Sequence, residues 1–428
     1  MRVAHFVHRY PPALGGSESY FARLSRWLVR SGDQVTVVTT TALDLESFWS
    51  PFTNTLRDGT AIEDGVHVRR HGLLRWPARR WFLKPLSLLP WPTWQCLTLP
   101  CNPIAPGMWR AAGRGEPTCD LVHASAFPYA FPIASGLRLA RRIGVPFLLT
   151  PFLHLGDPDR PDDPTRAAYT APPMQHLLAA ADRVFAQTER ERQAIVELGV
   201  PAERVVRCGL GVEPAECTGG RRVQVRRRWA IAPDQVVVGH LANQSEEKGT
   251  CDLLRAANEL WRRGLRFAVV LAGPEMPNFR RFWNAFRPFG RIERVGVLED
   301  RELADFYAGL DLFALPSRSD SFGLVLLEAW ANGLPNVAYR AGGPAEVIVH
   351  EHDGLLARCG DLADLAVCLA RLIESPDLRR DLGERGQQRT ATEFRWDDKL
   401  ARVREVYAEV VESARSRTIA SPLTRDDR

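Results

Sequence analysis

Two carboxylates, Asp320 and Glu328, stand eight positions apart in SRSDSFGLVLLEAW (residues 317–330), with Gly323 between them where a loop passes into a helix. At Ser321, Phe322, Gly323 and Leu324 the free N–H groups of the helix start meet the positive end of its dipole, a place suited to phosphate. A glycine there lets a ligand approach the backbone closely. Glu328, just over one turn along, could accept hydrogen bonds from two ribose hydroxyls. Asp320, ahead of the helix, could hold hydroxyls of a sugar joined to that diphosphate. The same residues also fit a plain helix cap with a solvated Glu328. A second chemical candidate is Lys248 in EEKG, one of only three lysines (Lys84, Lys248, Lys399) among 56 cationic side chains. A Lys-Gly at a helix start is often only a solvated end. The Gly15–Gly16 pair reads as a tight turn, and His154 as a loop histidine. His123 reads as a strand-end residue shaping a cleft, and the HEH run at 350–352 lacks the helical spacing of a metalloprotease.

The elements that must position these residues alternate. RVAHFVH, a Pro- and Gly-containing loop, a helix with Tyr20, Phe21, Leu24, Trp27 and Leu28 on one face, and QVTVVTT make a βαβ opening. Strands follow at CDLVHAS, VPFLLTPF, DRVFAQ and ERVVRCG. After a Pro- and Gly-rich break the pattern restarts with QVVVGHLA, RFAVVLAG, DLFALPS and NVAYRAGG, with helices between them. The expected architecture is α/β: two Rossmann-like, doubly wound parallel-sheet domains facing each other across a cleft. The expected bounds are 1–212 for the first domain, with an irregular Trp/Arg/Pro-rich insertion at 69–111, and 213–222 for a linker. The second domain spans 223–395, a helix at 396–415 returns toward the first domain, and 416–428 forms a disordered tail.

Composition narrows the functional classes. At 428 residues, 45% hydrophobic and 25% charged, the chain is globular and long enough for two domains. A net charge of +5 makes no case for nucleic acid. Eight scattered cysteines without a C-x-x-C pair fit a reduced, cytoplasmic protein. No run reaches the length of a membrane span, and the apolar start is too short for a signal segment. No G-x-G-x-x-G follows the first strand, which speaks against a nicotinamide or flavin enzyme.

PSRSDSFGLVLLEAWANGLP followed by AGGPAEVI resembles the signature of the family-4 retaining glycosyltransferases of GT-B fold. YPPALGGSESY, DLVHAS, LLTPFLH, ADRVFAQTERERQAIVELGVP with GLGVEP, and EEKGTCDLLRA resemble further motifs of that family in the same order. The resemblance implies transfer of a hexose-type sugar from a UDP- or GDP-linked donor to a hydroxyl of a glycan or lipid-linked acceptor, in cell-surface polysaccharide or glycolipid synthesis. It implies Glu328 on the ribose, the amides of 321–324 and Gly15–Gly16 on the diphosphate, Lys248 on the leaving group and His154 near the sugar. No cofactor is implied beyond the nucleotide-sugar co-substrate, and no metal, although DPD at 157–159 satisfies an Asp-x-Asp pattern. Two departures stand out: Asp320 replaces the family's Glu, and His240 and Asn243 lie where many members carry an Arg before Lys-Gly. They keep open an alternative, a GT-B protein that binds nucleotide-sugar or glycan with little or no turnover. The five tryptophans of 69–111, interleaved with Arg69, Arg70, Arg75, Arg79, Arg80 and Lys84, suit either an anionic bilayer at the inner face of the plasma membrane or packing on the domain core.

Overall fold

The computed structural model describes residues 1–160 and 162–420. Among them the strands form two sheets. The first contains β1 (Arg2–Phe6), β2 (Gln34–Thr40), β3 (Gly59–Glu63), β4 (Val66–His71), β5 (Leu121–Ala124), β6 (Phe147–Leu149), β7 (Arg183–Ala186) and β8 (Val205–Arg207). Its order is β3-β4-β2-β1-β5-β6-β7-β8, parallel except for the β3–β4 pair. The second contains β9 (Val236–Leu241), β10 (Phe267–Ala272), β11 (Arg291–Gly296), β12 (Leu312–Leu315), β13 (Asn336–Tyr339) and β14 (Gly354–Ala357). Its order, β11-β10-β9-β12-β13-β14, is parallel throughout.

Apolar composition explains why these strands lie inside. FAVVLA of β10 and LFAL of β12 are buried at every residue, as expected when helices cover both faces of a parallel sheet. The helix Gly16–Arg30 buries Tyr20, Phe21, Leu24 and Leu28 along one stripe. Each sheet reverses its strand order once, between β1 and β5 and between β9 and β12. Doubly wound sheets open their ligand crevices beyond the carboxyl ends of the strands flanking such a reversal.

The structure corrects several expectations. Residues 69–111 are not irregular: they finish β4 and then form the helices Arg79–Leu86, Pro92–Thr98 and Pro106–Gly113. Two of these begin at proline, which lacks only an N–H that a helix start leaves unpaired anyway. The expected linker carries a helical turn, Pro214–Cys217, and ends in the helix Arg222–Arg228, whose Arg222 and Arg226 each lie 2.6 Å from Asp311. The last helix runs Trp396–Ala420, so 416–420 are helical; the rest of the expected tail, 421–428, lies outside the described residues. This helix packs on the first sheet. Arg404 pairs with Asp33 at 2.7 Å, and the buried Tyr407 hydroxyl bonds His5 and His123. His123 is therefore fully buried in the sheet, also bonded to Thr150 at 2.8 Å, and does not shape the cleft.

Candidate active site

The crevices at the two reversals face each other, and a cavity of about 360 Å³ lies between them. From the first sheet, the loops after β1 and β5 contribute His8, Arg9, Gly15, Gly16 and Tyr129, and the loop after β6 contributes His154. From the second, the loops after β9 and β12 contribute Asn243, Lys248, Asp320 and the run Ser321–Val325. Sequence-predicted residues far apart in the chain thus line one space.

Lys248 is aimed by a turn that only glycine completes. Gly249 has φ +73°, and a Cβ there would run into the Pro316 carbonyl oxygen. The Lys248 Nζ lies 2.6 Å from Asp320 Oδ2, while Asp320 Oδ1 accepts the Phe322 N–H at 3.2 Å. Burial pushes the Asp320 carboxyl up, but Lys248 and His154 outweigh it and hold it below the ordinary carboxylate value. One carboxylate therefore takes both the cation and one of the amides that the sequence reading assigns to phosphate. Gly323, at φ +90°, opens the helix Leu324–Ala331, and the Gly343 N–H donates to the Asp320 carbonyl at 2.8 Å.

His154 stands against Lys248, Asp320 and the Ser319 backbone, its ring 4.9 Å from that of Tyr169. Burial, aided by Lys248, pushes it down to about 4, so it is a neutral hydrogen-bonding group at physiological pH. Its loop crosses the cleft directly. The Gly156 N–H donates to Ser319 Oγ at 3.1 Å, and Asp157 of the DPD run pairs with Arg318 at 3.2 Å. Among the described residues, no three His, Cys, Asp or Glu side chains gather as a metal-holding group.

Glu328 is not on the cavity wall: along its helix the lining runs from Gly323 to Val325. Its Oε2 accepts the Tyr307 hydroxyl at 2.7 Å, and burial raises its carboxyl despite that bond. His240, at the position where the family's Arg is missing, is buried between the Ala314 carbonyl and Thr250, and burial pushes it down to about 4. It supplies no charge in place of that Arg.

Sequence reasoning missed a buried ionic cluster on the opposite wall. Glu18 Oε1 lies 2.5 Å from Arg9 and 3.1 Å from His8, and Ser17 Oγ donates to Oε2 at 2.8 Å. Burial raises the Glu18 carboxyl, and these partners overcome it to hold it at about 2. A Cβ on Gly15 would run into that carboxylate, whereas one on Gly16 would meet nothing within 4 Å. Glu18, two residues past the glycine pair, was the available signal. Also missed was Glu346, the acid of AGGPAE, which accepts the N–H groups of Glu189 and Arg190 at 2.7 and 3.0 Å from across the cleft.

The fold and crevice define a two-domain α/β protein of GT-B type. Comparison supplies the family. Residues 222–389 match the model described as "Glycosyl transferases group 1", and residues 15–211 match a glycosyl transferase 4-like domain. A D-inositol 3-phosphate glycosyltransferase 2 of Catenulispora acidiphila is 31% identical over 267 residues, 60% of this chain and 62% of that protein. The first curated relatives matched are spanned over 51–62% of their length. A D-inositol 3-phosphate glycosyltransferase of Actinosynnema mirum is 31% identical over 311 residues, 68% of this chain and 73% of the relative. The crystal structure of Anabaena HepE in complex with UDP-glucose superposes with a TM-score of 0.70 at 18% identity, covering 96% of this chain and 100% of that one. The chain belongs to the group 1 glycosyltransferases.

Proposed function

We propose that the protein is a retaining glycosyltransferase. It would move a hexose-type sugar from a UDP- or GDP-linked donor to a hydroxyl of a glycan or lipid-linked acceptor, in polysaccharide or glycolipid synthesis at the inner face of the cell membrane. The observation that carries this reading is the convergence of Lys248, Asp320, His154 and the opened helix at Gly323 on one cavity between the two crevices. The bond from the sugar's anomeric carbon to the diphosphate breaks and one to the acceptor oxygen forms, with loss of the acceptor proton. Negative charge grows on the departing diphosphate, where Lys248 and the 321–324 amides stabilise it. The neutral His154 and the Asp320 carboxylate are placed to orient sugar hydroxyls, and the Gly15–Gly16 loop supplies a wall without side chains opposite. Glu328 reaches a ribose once it exchanges Tyr307 for the ligand. The UDP-glucose held by the Anabaena relative supports the donor class.

A second reading, binding without turnover, draws on Asp320, which occupies Lys248 in the free protein. Donor turnover separates the two. Release of nucleoside diphosphate from UDP- or GDP-sugar by wild type, lost in K248A, supports the enzyme; binding of donor with no release supports the second reading. Proton NMR of the product anomer tests retention, and a product of inverted configuration overturns it.

A further inference from the structure

We infer that the surface built by residues 76–94 is a membrane-docking face, made to lie on an anionic phospholipid bilayer beside the mouth of the cavity. The helix Arg79–Leu86 buries Arg79 and Leu83 one turn apart and turns its other side outward. Trp81 is 76% exposed there, Phe82 64%, and in the following turn Leu88 is 75% and Trp91 62% exposed. Single exposed apolar residues are ordinary, but a contiguous aromatic and aliphatic cluster marks an interaction site. Tryptophan beside long cationic side chains is the composition of the headgroup region, where ring and alkyl stem bury while the charge stays at the surface.

Charge decides the occupant. From residue 65 to 115 the sequence has eight Arg or Lys and no Asp or Glu. Lys84 and Arg80 lie exposed on the same helix as Trp81. A second copy of this chain would bring two faces of like charge together, whereas an anionic bilayer complements them. Among the described residues no helix is long and apolar enough to cross a membrane, so contact through this face is peripheral.

The face is joined to the candidate active site by a cation–π contact and two edge-to-face ring contacts. Arg80 lies over the Trp49 ring at 4.6 Å, Trp49 meets Phe48 at 6.2 Å, and Phe48 meets the cavity-wall residue Tyr129 at 4.9 Å. A bilayer seated on Trp81 and Trp91 therefore lies against the first domain's side of the cavity, and an acceptor anchored in that bilayer would enter there. This last point rests on the glycosyltransferase reading; the docking face itself does not.

The test uses the full chain and vesicles of phosphatidylcholine, alone or with a quarter phosphatidylglycerol, in co-sedimentation with tryptophan emission as a second readout. The wild type should bind the anionic vesicles at low salt with a blue-shifted emission, and should release at about 0.5 M salt, where the Debye length falls to a few Å. Replacing both tryptophans (W81S/W91S) should weaken partitioning at least about tenfold. R80E/K84E should weaken it by about fivefold or more per cation. Both variants should keep wild-type nucleotide binding; W81S/W91S should also keep wild-type melting, while R80E/K84E melts slightly lower for loss of the Arg80–Trp49 contact. Wild type left in the supernatant at low salt overturns the inference. So does a concentration-dependent dimer in ultracentrifugation that W81S/W91S abolishes, which would make the face a self-association surface. Vesicle binding without nucleotide binding would leave the face standing and remove the enzyme reading; nucleotide binding without vesicle binding would do the reverse.

Discussion

Replacing Asp320 by asparagine separates two roles that one carboxylate now combines. In the free protein its two oxygens hold Lys248 at 2.6 Å and the Phe322 amide at 3.2 Å, groups that a diphosphate needs. The paired side chains are 25% and 16% exposed. That places them between surface pairs, worth up to about 1 kcal/mol, and fully buried pairs, whose breaking costs about 3–5 kcal/mol. About 1–2 kcal/mol is the resulting figure for the pair. In D320N this energy no longer opposes the nucleotide, so the Kd for the preferred nucleoside diphosphate should fall about 5- to 30-fold. The same change leaves Lys248 without its partner when no ligand is present, and the Tm should drop by about 2–8 °C for a domain of 150–250 residues. Turnover should fall as well, since the amide offers one accepting oxygen where the carboxylate offers two, and its NH2 can only donate. Calorimetric titration, thermal melting and donor turnover on the same two proteins read all three effects. Unchanged or weaker nucleotide binding by a folded D320N would refute the competition between carboxylate and diphosphate.

Three further outcomes are expected. K248A should lose about 100- to 1000-fold in kcat with a smaller change in KM, because the cation acts on charge that develops as the diphosphate leaves; a fall of less than fivefold would remove Lys248 from that role. G249A should be destabilised by about 2 kcal/mol or more, since its positive φ and the Pro316 carbonyl both oppose a Cβ, and a wild-type urea midpoint would contradict the close approach. Stability should fall as pH drops from about 6.5 to about 4. Burial holds His5 at about 3, His154 and His240 at about 4 and His123 well below its ordinary value, so the unfolded chain binds more protons in that window. Each such group contributes a slope of about 1.4 kcal/mol per pH unit, with Glu191, raised to about 7 by burial, acting in the opposite direction. Urea midpoints that stay flat or rise as the pH is lowered through this range would contradict the four neutral imidazoles.

The residues that line the second crevice were legible because local pattern placed them: a loop after an apolar strand, a glycine at a helix start, a lysine-glycine turn. What was not legible depended on partners distant in sequence. Lys248 and Asp320 are 72 residues apart, and nothing near either shows that they neutralise each other. Tyr307, which turns Glu328 from the cavity, lies 21 residues upstream. The Arg9–Glu18–His8 cluster was hidden for another reason, since charged residues near a Gly-rich loop look solvated until neighbours distant in sequence, here Phe48, Tyr129 and the Leu43 carbonyl, close around them. Among the elements, β3 escaped because GTAIE is a largely exposed edge strand with little apolar alternation. The helices of 79–113 escaped because their prolines read as breaks. The final helix was ended early because ESARSRTIA lacks an apolar stripe, yet its helix-forming residues carry it to Ala420.

The most direct measurement is calorimetric titration of the wild type with UDP, GDP, ADP and NAD, repeated with Lys248→Ala and Glu328→Ala. A nucleotide-sugar enzyme binds one nucleoside diphosphate selectively, with binding weakened in both variants. Binding of none of the four, or of NAD alone, would contradict a donor site at Lys248 and Asp320.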